Sequence, residues 1–171
     1  MALLLLVVVA GIAWMFVAPG RRFLPKFAEL LTDPTVHRSP FSFFSGRSYA
    51  TGTFKARPAV VRLQLKRTKY GQGYLVLALR TAGAQSFDND GIERRTPDGP
   101  GRRALVSIAR QDLLLTVDDG WLKALWRPQG FTIFPGQFSE DKWRDVLDAL
   151  HTIASSLDAA GTVSPETDRD S

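Results

Sequence analysis

Three acidic side chains, Asp88, Asp90 and Glu93, lie close enough in sequence to offer hard oxygen ligands to a divalent cation. A calcium loop needs more than this: acids at alternating positions, a glycine, a distant glutamate and two flanking helices, which the segment does not spell out. Asp118 and Asp119 are adjacent carboxylates of the kind used for acid–base chemistry, but Gly120 follows at once and the trio reads as a hairpin turn. His37 and His151 are the two histidines, far apart and each without a companion motif, and there is no cysteine. Gly71-Gln72-Gly73 falls between two strand-like segments, so it offers a phosphate no helix N-terminus. The sequence therefore predicts no catalytic residue, no metal and no cofactor, and points away from an enzyme.

Binding chemistry is better represented. Arg62, Lys66, Arg67 and Lys69 make a basic strand end and turn that could meet an anionic lipid headgroup or another phosphorylated ligand, or be a solvated hairpin end. Phe41, Phe43 and Phe44 form one aromatic group, and Trp121 and Trp126 share a later hairpin; whichever of these are exposed would concentrate contact energy with a protein partner.

These side chains must be positioned relative to the opening of the chain, where an apolar run from Ala2 to Ala18 ends at Pro19-Gly20 and Arg21-Arg22. Seventeen residues rising about 1.5 Å each give about 26 Å, close to the roughly 30 Å hydrocarbon core of a bilayer. A run with no polar face has nothing to show to water, so the expectation is a transmembrane helix. A cleaved secretory signal would need a positive residue before the run and a small-x-small site after it, and Val17, Ala18 and Pro19 make a poor site. Arg21, Arg22 and Lys26 all lie downstream, which predicts a single-pass anchor with the following domain on the cytoplasmic side.

The net charge is +5 and is unevenly spread: residues 1–110 carry seventeen Lys or Arg against six Asp or Glu, whereas 111–171 carry five against eleven. A basic first part beside a membrane favours anionic lipid as a partner. Nucleic acid is disfavoured, because no recognisable binding module accompanies the charge.

Along the chain, residues 21–48 are expected to hold a juxtamembrane helix from Phe23 to Thr32, stopped by Asp33-Pro34, and then a connector. Period-two alternation begins at Tyr49. Strands are expected over Tyr49–Phe54, Ala59–Arg67, Tyr74–Arg80, Ala104–Ala109, Asp112–Val117, Trp121–Trp126 and Phe131–Phe134, with the apolar Tyr74–Arg80 at the centre of the sheet. Thr81–Arg103 is polar, turn-rich and long for a hairpin loop, so it is either a functional loop or, as its two turn clusters favour, a disordered insertion. Ser139 begins a helix whose stripe is Trp143, Val146, Leu147, Leu150, Ile153, Ala154 and Leu157, with Gly161 as its stop.

The sequence thus predicts an α+β protein: an anchor over 1–20, a domain over 49–161 made of about seven short antiparallel strands packed by a C-terminal amphipathic helix, and a loose tail over 162–171. Strands in meander order closed by a final helix, from Tyr49 to Leu157, resemble the pleckstrin-homology superfold in element order. That resemblance implies an anionic-lipid role for the turn bearing Lys66, Arg67 and Lys69.

Overall fold

The computed structural model describes residues 4–8, 11, 24–38, 48–65, 73–83, 86–111, 113–126 and 139–162. Short helical segments cover residues 4–8 (α1) and 24–28 (α2). Six strands follow, β1 (Thr32–His37), β2 (Tyr49–Phe54), β3 (Arg57–Leu65), β4 (Gly73–Arg80), β5 (Leu113–Asp118) and β6 (Trp121–Trp126), together with the helices α3 (Asn89–Arg95), α4 (Pro100–Ala109) and α5 (Glu140–Thr162). The strands form one antiparallel sheet in the order β1-β2-β3-β4-β6-β5.

The alternation that predicted the strands also decides which face is buried. Ala50, Val61, Leu77, Ala124 and Leu115 stand side by side across five strands and are all buried. The stripe of α5 covers them with Trp143, Val146, Leu147, Leu150, Ile153 and Ala154. Ser139 caps α5 by accepting a hydrogen bond from the Lys142 N–H at 3.4 Å, and Glu140 and Asp141 occupy the first turn, where the helix dipole favours acids. Leu75 to Leu79 are buried without interruption, as the apolar run in β4 requires of a strand between two neighbours.

Two hairpin turns among the described residues are two residues long. Lys55 and Ala56 (φ 47° and 64°) join β2 to β3, and Asp119 and Gly120 (φ 50° and 70°) join β5 to β6. Positive φ at both central residues matches the right-handed twist of the flanking strands.

Several expectations are corrected. Ala104–Ala109 is helix, belonging to α4: Pro100 opens it at a position where a missing N–H costs nothing, and Gly101, Ala104, Leu105 and Ile108 fall at helical spacing. The insertion expected to be disordered is α3 and the start of α4. Asp88 caps α3 through the Gly91 N–H at 3.0 Å, and the Thr96 hydroxyl donates to the Ile92 carbonyl at 2.8 Å. Asp33-Pro34 does not end a helix that reaches Thr32. It lies inside β1, where Asp33 takes a positive φ, the register shifts, and an edge position tolerates proline.

The folded unit therefore begins well before residue 49, since Leu24, Phe27 and Leu31 belong to the core. Six strands, not seven, are described; Phe131–Phe134 and 163–171 lie outside the described residues. The meander breaks after β4, because α3 and α4 intervene and β6, not β5, pairs with β4. That order departs from the pleckstrin-homology pattern. Among the described residues no helix is long and apolar enough to cross a membrane, and of the opening apolar run residues 4–8 and 11 are described, as helix.

Candidate functional site

Helices α2 to α5 lie on one face of the sheet, and no described helix packs on the other. Register places His37, Tyr49, Arg62, Val76, Leu125 and Leu114 in one row across that open face, with Val60, Ala78, Lys123 and Thr116 in the next and Arg80, Trp121 and Asp118 in a third. Val76 and Ala78 are nevertheless buried, each flanked by taller side chains: Arg62 and Leu125 beside the first, Val60 and Lys123 beside the second. Leu114 is 62% exposed.

The face carries two ring stacks and an ion pair. His37 lies on Tyr49 with centroids 4.4 Å apart, and the Arg80 guanidinium sits 5.4 Å from the Trp121 ring while donating to the Asp119 carbonyl at 3.1 Å. Lys123 donates to Asp118 at 2.5 Å. The hydrogen bond and charge of Lys123, with the Ser86 hydroxyl, hold the Asp118 carboxyl below its ordinary range against a small opposing effect of burial.

Of the residues singled out from sequence, Arg62 and Trp121 share this face. Trp126 points the other way: it is 9% exposed and meets Trp143 edge-on at 5.3 Å, so it is core and leaves Trp121 as the accessible member of the pair. Lys66, Arg67, Lys69, Phe41, Phe43 and Phe44 lie outside the described residues.

The acidic groups have local work. Asp88 is the cap of α3, Glu93 pairs with Arg102 at 2.7 Å, and Asp119 is a turn residue. Among the described residues no group of three potential ligands could hold a metal ion.

His151 is half-buried on α5, edge-on to Phe54 at 6.5 Å. Burial, then the positive charges of Arg57 and Lys55, push its imidazole below the ordinary value; Asp148, paired with Lys55 at 2.7 Å, pulls the other way. A carboxylate and a histidine do approach each other here, but they sit where the β2–β3 hairpin is fastened to α5. Arg57 completes the fastening, reaching Asp158 at 2.6 Å, Ser155 at 3.2 Å and the Arg80 carbonyl at 3.0 Å, while Asp158 also accepts from the Ala82 N–H at 2.8 Å. Sequence reasoning missed this junction, because the bonds from Arg57 to α5 span 98 and 101 residues.

A cavity of about 100 Å³ opens elsewhere, between α3, α4 and β5, walled chiefly by Leu105, Val106, Ile108, Leu113 and Leu115 with the Glu93–Arg102 pair at its rim. Sequence reasoning missed it as well. Its floor was read as strand and its rim as disordered loop.

No protein-family model, no curated protein and no solved structure matches this chain.

Proposed function

We propose that this chain is a single-pass, membrane-anchored interaction domain without catalytic chemistry, its sheet and helices on the cytoplasmic side. The observation that carries the reading is the uninterrupted apolar run from Ala2 to Ala18 followed directly by Arg21 and Arg22. The fold is consistent with it. Phe27 meets Trp143 edge-on at 5.3 Å and Trp143 meets Trp126, whereas Leu31 lies against Gly52, so the chain enters at the Trp126 end of the sheet and runs toward the other end. β1 ends and β2 begins, and β3 ends and β4 begins, at that same Trp126 end.

The test is extraction and protease protection of the full chain with a tag after Ser171, in sealed cells and spheroplasts. The reading expects resistance to alkaline extraction and a protected tag. Release by alkali defeats the anchor, and cleavage of the tag defeats the orientation.

A second reading, recognition of anionic headgroups, is favoured by the placement of Arg62, Arg80 and Lys123 on one open face. Flotation of the full chain, reconstituted from detergent beside vesicles with and without anionic lipid, addresses it. Capture of a second vesicle population that ignores both lipid charge and salt would eliminate headgroup recognition.

A further inference from the structure

We propose that the β2–β3 hairpin is held to α5 by a proton-operated clasp, in which His151 and Lys55 compete for the Asp148 carboxylate. With His151 neutral, Asp148 holds Lys55 and the hairpin tip lies on α5; with His151 protonated, the imidazolium takes Asp148 and the tip is released. The clasp works whether or not the chain is anchored in a membrane.

The tip is shaped to be held at one point. Lys55 and Ala56 form the two-residue turn, and the Lys55 side chain passes over the Phe54 ring, its ammonium 5.8 Å from the centroid, to stand 2.7 Å from Asp148 Oδ1. Beneath it Phe54 is buried and meets the His151 ring edge-on at 6.5 Å. The Lys55 and Asp148 side chains are 55% and 42% exposed, so water screens their attraction and a nearby rival can displace one of them.

The rival is on the same helix. Asp148 and His151 are three residues apart on α5, which puts their side chains on one face. His151 Nδ1 and Asp148 Oδ1 are both shut off from solvent and neither makes a hydrogen bond among the described residues; the Lys55 contact is close but not aligned as one. The hydroxyls beside them are already engaged with the backbone, Thr152 donating to the Asp148 carbonyl at 2.9 Å and Ser155 to the His151 carbonyl at 2.9 Å. A neutral ring with its proton on Nε2 offers the carboxylate nothing from Nδ1. A proton taken up from solvent at Nδ1 creates a donor and a positive charge where a bare carboxylate oxygen is one turn away, and the new pair satisfies both orphaned atoms.

The charges set the direction. Burial first, then Arg57 and Lys55 facing from the hairpin, hold the imidazole below its ordinary value, and Asp148 on its own helix opposes them. The clasp is therefore closed at neutral pH and opens as pH falls below 6.5 toward the folded-state value. Asp158, the next acid along α5, is engaged by Arg57 at 2.6 Å and by the Ala82 N–H at 2.8 Å. Arg57 thus keeps the root of β3 fastened while the tip moves, and the movement uncovers Phe54.

The test is amide hydrogen exchange of the full-length chain in detergent micelles at about pH 7.5 and about pH 5.5, with labelling times scaled for the intrinsic rate. Residues 53–59 should exchange about threefold faster at the lower pH, the size an exposed ion pair allows, while residues 75–79 of β4 stay protected. His151→Gln should remove the difference, and Lys55→Gln should leave the tip open at both pH values. A second measurement stands if His151→Gln does not fold: in Lys55→Gln the His151 ring, followed by NMR, should take up its proton at higher pH, because one facing cation is gone and Asp148 is free. Tip exchange that is equal at the two pH values, or that still changes in His151→Gln, overturns the clasp. So does faster exchange in β4 alongside the tip, which would make the opening global, and a His151 titration that Lys55→Gln leaves unmoved.

Discussion

Ala56 is a side chain in a backbone position that suits glycine. Its φ of 64° lies in the left-handed region, where a Cβ crowds the following carbonyl, and the two-residue turn between β2 and β3 leaves no alternative. Ala56→Gly is expected to raise the stability of the fold by about 0.5–1 kcal/mol, read as a higher urea midpoint at unchanged slope. An unchanged or lower midpoint would mean the turn is not held as described. Lys55, its neighbour in the turn, makes a poor site for the same change, because its ammonium pairs with Asp148 and lies over Phe54.

His151 gives the fold a pH dependence of known sign. Its folded-state value lies below the ordinary 6.5, so the unfolded chain takes up the proton first as pH falls. The contribution is fully present above pH 6.5 and is lost as pH drops from there through the folded value. Denaturant midpoints at about pH 7.5 and about pH 5.5 should differ in that direction, and His151→Gln should shrink the difference. A pH dependence that survives the substitution in full would assign it to other groups.

At the level of elements, the helix layer depends on one close approach. A Cβ built on Gly101 of α4 would stand 2.4 Å from the Ser156 hydroxyl oxygen, 2.7 Å from the Ser156 Cβ and 2.7 Å from the Thr96 methyl, so α4 and α5 lie closer than any larger residue permits. Gly101→Ala should cost about 1–3 kcal/mol, since α5 cannot yield without leaving the sheet. Gly161, in the same helix layer with nothing within 4 Å, provides the contrast: Gly161→Ala should be neutral or stabilising by up to about 1 kcal/mol. The pair is measured in one set of urea titrations, and equal effects would refute the tight crossing. The same comparison bears on the cavity, because α4 is held against α5 on one side and walls the cavity on the other.

For the molecule as a whole, the two faces of the sheet divide the work. One face is sealed by α2 and α5 through the aromatic chain Phe27, Trp143 and Trp126, and the other, on which no described helix packs, carries Arg62, Arg80, Lys123 and Trp121. The two hairpin tryptophans should therefore behave differently. Trp126→Ala removes a core side chain and should cost about 3–5 kcal/mol, whereas Trp121→Ala should cost about 1 kcal/mol or less and act on whatever the open face meets. Thermal unfolding of the two variants separates them, and comparable losses would mean that the open face is sealed by something else. The acidic outer surface of α5 lies opposite this open face, so a domain oriented by charge would turn the sheet, not the helix, toward an anionic surface.

Local sequence determined the hairpin at Asp119-Gly120, the central position of Tyr74–Arg80, and the cap and stripe of α5, since each is written in neighbouring residues whose spacing sets both conformation and burial. The apolar run of the first twenty residues is of the same kind, and it alone carries the membrane proposal. Only the tertiary structure decided the rest. Ala104–Ala109 alternates like a strand, and it is helical because Gly101 lets α4 settle against Ser156 of α5, a partner more than fifty residues away. β1 looked like the end of a helix followed by a connector, and it is a strand because β2 offers it an edge where proline does no harm. Six strands could be written in many orders, and the placement of β6 beside β4 follows from the two helices inserted before β5. That one decision leaves β5 at the margin of the sheet, next to a cavity no stretch of sequence foretells, because burial and adjacency between distant segments are set by packing and not by period.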